Sequence, residues 1–173
     1  MGVQVVWHDG ASAASETARV HEVYSREYPP GPDFAEWRDG VWARHRARPG
    51  FDLGVAESDG RVAGIAWAYV GERGQYWTDA VTASLPDDVA DRWVGGHLEI
   101  VELIVLPEFR RHGLGTALLT ALLARSSAER ALLSVNDSAL PARSLYRSLG
   151  WQELGPLGNE MTVMGTSLRG ATP

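Results

Sequence analysis

Residues 61–70 constrain the fold of this chain more than any other stretch. In an extended strand, Val62, Ala66 and Ala68 fall on one face, and Ile65, Trp67 and Tyr69 fall on the other. A strand that is apolar on both faces is a central strand covered from both sides. Asp59-Gly60 directly before it is a strong two-residue hairpin signal, so residues 51–57 read as its antiparallel partner. A length of 173 residues suits one domain with a full-sized core.

Other elements follow from periodicity and punctuation. Residues 3–7 read as a first strand and residues 12–27 as a helix. Pro29-Pro30-Gly31-Pro32 breaks the chain. Asp33 then caps a second helix, with Glu36 placed for a capping box and Phe34, Trp37 and Val41 on one face. Residues 71–96 read as a long connection with one short helix at 86–94. Strands are expected at 97–106, 131–135, 151–154 and 161–168. A helix at 113–125 carries Leu114, Leu118 and Leu122 in a row, and another runs from Pro141 to a stop at Gly150. This order, with one βαβα core, points to an α/β or α+β sheet of about six or seven strands.

Composition removes several classes of function. The chain has no cysteine, which excludes disulfides, thiolate metal sites and a cysteine nucleophile. A formal net charge of -6 disfavours a nucleic-acid partner. No apolar stretch approaches membrane-spanning length, and no secretory signal pattern is seen, so a cytoplasmic protein without membrane contact is expected. His8, His21, His45, His97 and His112 show no metal-ligand spacing, so no metal is expected.

Two segments carry chemistry. The first is Val105-Leu106-Pro107-Glu108-Phe109-Arg110-Arg111-His112-Gly113-Leu114-Gly115-Thr116. Here a strand ends, a glycine-containing turn follows and a helix begins. Glycine permits close approach to the backbone. The free N–H groups and dipole of a helix start favour an anion, and Arg110 and Arg111 can add charge-assisted bonds to phosphate. A plain strand-to-helix turn in which glycine only aids packing is the competing reading. The second segment is Ala142-Arg143-Ser144-Leu145-Tyr146-Arg147-Ser148-Leu149-Gly150-Trp151, with Tyr146 on an otherwise apolar helical face. On its own it reads better as a core tyrosine.

Together the segments resemble the GNAT superfamily of acyl-CoA-dependent N-acetyltransferases. Arg110-Arg111-His112-Gly113-Leu114-Gly115, preceded by Val105-Leu106-Pro107, is similar to that family's Arg/Gln-x-x-Gly-x-Gly/Ala motif. Leu145-Tyr146-Arg147-Ser148-Leu149-Gly150-Trp151 resembles its Leu-Tyr-x-x-x-Gly-Phe/Trp ending. The resemblance implies a single GNAT-like domain over residues 1–173. Its mixed, mostly antiparallel sheet would be flanked by about four helices and splayed at two central parallel strands, 97–106 and 131–135.

The resemblance also implies acetyl-CoA as acyl donor. Its pantetheine arm would lie along Leu103, Ile104 and Val105, paired with the backbone of Leu103 and Val105. Its diphosphate would rest on the N–H groups of Arg111, His112, Gly113, Leu114, Gly115 and Thr116, beside Arg110. Tyr146 would protonate the departing thiolate. The base that deprotonates the acceptor amine would be Glu102 or Glu99, which have opposite strand parity; Glu102 is favoured, and His97 is a third option. Tyr76 and Trp77 are candidate walls of the acceptor site. One position departs from the family: Ala139 stands where many members have asparagine, and Asn136 is three residues away. The expected reaction is direct attack by a primary amine of a small molecule or peptide in a ternary complex. A non-catalytic acyl-CoA-binding regulatory module is the alternative, and an O-acyl acceptor is a third reading. Exposed edge strands admit a homodimer.

Overall fold

The computed structural model describes residues 2–168; the outer ends of the expected 1–173 domain, residue 1 and residues 169–173, lie outside the described residues. The strands are β1 (Val3–Asp9), β2 (Asp52–Ser58), β3 (Arg61–Gly71), β4 (His97–Val105), β5 (Arg130–Asn136), β6 (Gln152–Leu157) and β7 (Met161–Ser167). They form one sheet in the order β1-β2-β3-β4-β5-β7-β6. Six helical stretches accompany them among the described residues: α1 (Thr17–Glu27); α2 (Phe34–Trp37), which continues through a π turn (Arg38–Trp42) into α3 (Ala43–Arg46); α4 (Tyr76–Ser84); α5 (Asp87–Trp93); α6 (Leu114–Ala124); and α7 (Leu140–Ser148). None of the helices is long and apolar enough to cross a membrane.

The chain divides into two compact units. One takes the residues up to Tyr69 together with Ile100–Arg125, and the other takes Val70–Glu99 together with the residues from Ser126 onward. In the first unit every residue of β3 from Ala63 to Tyr69 is buried. Asp59 and Gly60 both have positive φ, 51° and 75°, which is the primed turn that joins β2 to β3 with matching twist. Ile65 and Trp67 lie across from Val55 and Leu53, and these four belong to a core with Val20, Val23, Trp37, Trp42 and Phe51. Trp42 meets Trp67 edge-on at 5.5 Å and stacks on Trp37 at 5.3 Å. As expected from the sequence, Asp33 caps α2, its carboxylate accepting the Glu36 N–H at 2.9 Å.

The other face of β3 presents Gly64, Ala66 and Ala68, across from Ala56, Gly54 and Asp52. These side chains are small, so α6 can lie close with Leu114, Leu118 and Leu122 buried. At its C-terminal end, Arg125 pairs with Asp52 and lies 4.6 Å over the ring of Trp7.

In the second unit, β5 and β7 pair antiparallel along their whole lengths. Strand β6 adds to β7 with a register shift between Glu153 and Gly155, and Pro156 lies opposite Thr162. Helices α4 and α5 place Val81, Leu85, Ala90 and Trp93 against Leu132 and Val163. Helix α4 corrects the reading of residues 71–96 as a connection with one helix. Its sequence is rich in aromatic and β-branched residues and has no long apolar row, so periodicity misses it. Tertiary burial of Thr78 and Val81 secures it, and Asp79 in its first turn accepts the Gly74 N–H at 2.8 Å. The parallel ladder between β4 and β5 covers two pairs, Leu98↔Ala131 and Glu99↔Leu132, and stops there.

A side chain at Gly64 would test the close approach of β3 to its neighbours. A Cβ there would lie 2.7 Å from the Ile104 carbonyl oxygen and 3.3 Å from Leu118 Cδ1. Gly64→Ala should destabilise the protein by about 1–3 kcal/mol, as overpacking does. Thermal unfolding should show a melting temperature lower by about 2–4 °C for each kcal/mol. An unchanged melting temperature would show that the strand has room to give.

Candidate active site

The turn between β4 and α6 is built to leave a helix start bare. A short 3-10 turn, Pro107–Phe109, leads into Arg110. Arg111 and Gly113 then both adopt left-handed backbone, with φ of 67° and 78°. Gly113 is the residue from which α6 begins, and it has no side chain to cap it. The first intrahelical bond runs from Ala117 N–H to the Gly113 carbonyl at 3.0 Å. The N–H groups of Leu114, Gly115 and Thr116 therefore point out of the helix without intrahelical acceptors. A run of such groups at the positive end of a helix can receive an anion. Arg111, His112 and Gly113 are exposed, Leu114 is buried, and Gly115 and Thr116 are partly buried.

Arg110, expected from the sequence to add charge-assisted bonds to phosphate, is exposed and makes two hydrogen bonds within the protein. Its Nε donates to the Val105 carbonyl and its guanidinium to Glu27, both at 2.7 Å. The arginine thus braces the turn and ties it to the end of α1. Of the other residues expected along the pantetheine arm, Leu103 and Val105 are partly buried and Ile104 is in the core.

The two glutamates of β4 have separate surroundings. Glu99 is 4% exposed, and Thr78 Oγ1 donates to it at 3.3 Å. Glu102 is partly buried and accepts a hydrogen bond from the Tyr28 hydroxyl at 3.0 Å. Burial pushes the Glu102 carboxyl up to about 7; Glu27 adds to the rise, while the Tyr28 bond opposes it. A carboxyl near 7 is matched to proton abstraction at neutral pH. His97 is fully buried, with Nδ1 accepting the Gly95 N–H at 3.1 Å. Burial, with Arg130 adding, lowers it to about 4, which makes it a weaker base at neutral pH.

Tyr28, Tyr24 and Glu27 were not singled out from the sequence. Their one signal was the i, i+4 tyrosine pair at the end of a helix, which reads equally well as packing.

Tyr146 lies on the buried side of α7 at 9% exposure. Gly150 reverses the chain at φ 82°, and the Trp151 N–H returns to the Tyr146 carbonyl at 3.1 Å. This sets the Trp151 ring 5.7 Å from the Tyr146 ring. Ala139 precedes α7 and offers no side-chain cap. The Asn136 amide oxygen is taken by Ser138, from both N–H and Oγ. Tyr76 is 89% exposed, and Trp77 donates its indole N–H to Ser134 at 3.1 Å. Among the described residues there is no group of three or more acidic, histidine or cysteine side chains that could hold a metal.

A strand that runs into an uncapped, glycine-opened helix start is an arrangement that can receive an anion. Consistent with this, the Acetyltransferase (GNAT) family model matches residues 17–151, and the chain belongs to that family. It is 33% identical over 105 residues to a GCN5-like protein acetyltransferase of Mycobacterium tuberculosis, covering 56% of this chain and 51% of that protein. It is 38% identical over 104 residues to an N-alpha-acetyltransferase of Sulfurisphaera tokodaii, covering 58% and 56%. The matched stretch therefore spans about half the length of these two relatives. Among solved structures, Arabidopsis thaliana NAA60 in complex with acetyl-CoA has the same fold, at a TM-score of 0.65 and 14% identity over 96% of this chain and 98% of that one.

Two predictions follow from this geometry. No atom lies within 4 Å of a Cβ built at Gly113, so a side chain there would project into the open space before the helix, although its φ of 78° also strains any residue but glycine. Gly113→Val should weaken CoA binding by about tenfold or more, a loss of at least ~1.4 kcal/mol by titration calorimetry. Unchanged affinity in a variant with native circular dichroism would remove the anion site from this turn.

The second concerns Glu102 and stability. Between pH 4.5, the ordinary value, and about 7, the folded protein holds a proton that the unfolded chain releases. Stability therefore falls as pH rises through this window. Glu102→Gln should raise the melting temperature at pH 8, by about 2–4 °C for each kcal/mol recovered, and should change it little at pH 4.5. Equal shifts at both pH values would contradict a carboxyl held high by burial.

Proposed function

We propose that the chain is an N-acetyltransferase that moves an acetyl group from acetyl-CoA to a primary amine of a small molecule or peptide. Residues 1–173 would act as one GNAT-like domain, working in the cytoplasm. The observation that carries this reading is the uncapped start of α6 behind the left-handed Arg111 and Gly113. It suits a diphosphate, and family membership supports CoA as the bearer of that diphosphate.

Leu103, Ile104 and Val105 would border the pantetheine arm. Arg111, His112, Gly113, Leu114, Gly115 and Thr116 would hold the diphosphate through their N–H groups, and Arg110 would brace the turn. Glu102 is the base in this reading. Its raised carboxyl supports that role over Glu99, which is more deeply buried and bonded to Thr78. Glu102 accepts a proton from the acceptor amine, whose nitrogen bonds to the acetyl carbonyl carbon. The carbon–sulfur bond breaks, and Tyr146 gives its phenolic proton to the leaving thiolate. The name of the Sulfurisphaera relative favours a peptide α-amine among the acceptors.

A non-catalytic acyl-CoA-binding module is the second reading. Ala139 favours it, because it has no side chain to offer the cofactor and Asn136 is committed to the Ser138 turn. Thiol release from acetyl-CoA across a panel of amines and peptides separates the two. The enzyme reading expects acceptor-dependent release. It also expects Tyr146→Phe to keep near-native stability while turnover falls by roughly ten- to a thousand-fold, near the range of general acid–base groups. Binding without release for every acceptor would favour the module, and full turnover in Tyr146→Phe under rate-limiting chemistry would make Tyr146 a packing residue.

A further inference from the structure

The last turn of α1 places two opposed groups on Glu102. Tyr28 is 48% exposed, so its ring is not required by the core. Its backbone is nevertheless fixed on both sides, with its N–H on the Tyr24 carbonyl at 3.0 Å and its carbonyl accepting the Gly31 N–H at 2.7 Å. Its ring also rests on Tyr24 at 4.8 Å. From this backbone, with the ring against Tyr24, the hydroxyl reaches Glu102 Oε2 at 3.0 Å.

We propose that Tyr28 is a positioning residue for Glu102: its hydroxyl holds one carboxylate oxygen and leaves the other to receive the acceptor's proton. This rests on Glu102 being the base. Tyr28 stays a donor throughout the working range, because partial burial of its side chain and the neighbouring Glu102 raise its phenol above the ordinary value. A bond donated to a carboxylate favours the ionised form, so Tyr28 keeps Glu102 competent at lower pH. Glu27, the preceding residue, acts in the opposite sense through like charge. Arg110 is paired with Glu27 and tempers this repulsion. Tyr24 also feels the Glu102 charge, and burial raises its phenol too, so it stays neutral.

The test is a carbon-13 titration of glutamate carboxyls in the intact protein, with the Glu102 resonance assigned from Glu102→Gln. The wild-type midpoint should lie near the 7 set by burial. Tyr28→Phe keeps the ring and removes the donor, and it should move the midpoint up by about one pH unit. Glu27→Gln should move it down. The acid limb of kcat/KM, measured with one acceptor for all variants, should move the same way. Tyr28→Phe should therefore lose about tenfold at pH 6 and little at pH 9, where Glu102 is ionised in either case. A loss of equal size at both pH values would mark Tyr28 as structural and overturn the proposal, as would an unmoved midpoint. If the limb with a midpoint near 7, distinct from that of the acceptor amine's own ionisation, survives in Glu102→Gln, the base assignment fails and this role fails with it. If the limb is lost in Glu102→Gln but Tyr28→Phe moves neither quantity, the role of Tyr28 alone is refuted.

Discussion

Strand β3 is buried on both faces from Ala63 to Tyr69, and its two faces make opposite demands. The face with Ile65, Trp67 and Tyr69 is bulky and needs a thick apolar partner, which the stacked Trp37 and Trp42 supply from the helical stretch 34–46. The face with Gly64, Ala66 and Ala68 is nearly flat and needs a helix that brings its own bulk, which α6 does with three leucines. Because α6 is drawn down onto small residues, its start is drawn in as well, and the chain must climb from Val105 to Leu114 in a tight turn. The left-handed Arg111 and Gly113 meet that requirement. Packing at the centre of the sheet thus dictates the local geometry of the proposed anion site.

Glu102 shows the reverse relation, in which a residue of the proposed site weakens the fold that holds it. Desolvating a carboxylate is unfavourable, and an ordinary surface glutamate at this place would leave the protein more stable above neutral pH. The strain is contained by a neighbour with a hydroxyl rather than by a cation. An arginine would have drawn the carboxyl below its usual range and removed it from the neutral window. Arg110 is close in sequence but is engaged by Glu27 and by the Val105 carbonyl.

Much of this was legible beforehand, for physical reasons. Two-sided hydrophobicity marked β3, Asp59-Gly60 marked its turn, and Asp33 with Glu36 marked the start of α2. Glycine marked Gly113 and Gly150, since both positions need positive φ. The motif segments were readable because backbone geometry demands particular residues at fixed spacing. What stayed hidden depends on long-range partners. Helix α4 is held by tertiary burial and contradicts its own propensities. The commitment of Arg110 to Glu27 joins residues far apart in the chain, as does the bond from Tyr28 to Glu102. A sequence shows that an arginine is present, but not what it is already holding.

Strand β6 carries one more consequence. It is the last strand of the sheet, and it contains both a proline and a register shift. Proline offers no N–H, and an irregular strand twists away from straight pairing. A stray extended chain arriving at this margin would find one donor missing and the spacing of the rest disturbed. Strand exchange and fibrillar growth are therefore discouraged on that side by the covalent structure of Pro156 itself, a safeguard that works whether or not the protein is occupied with its chemistry.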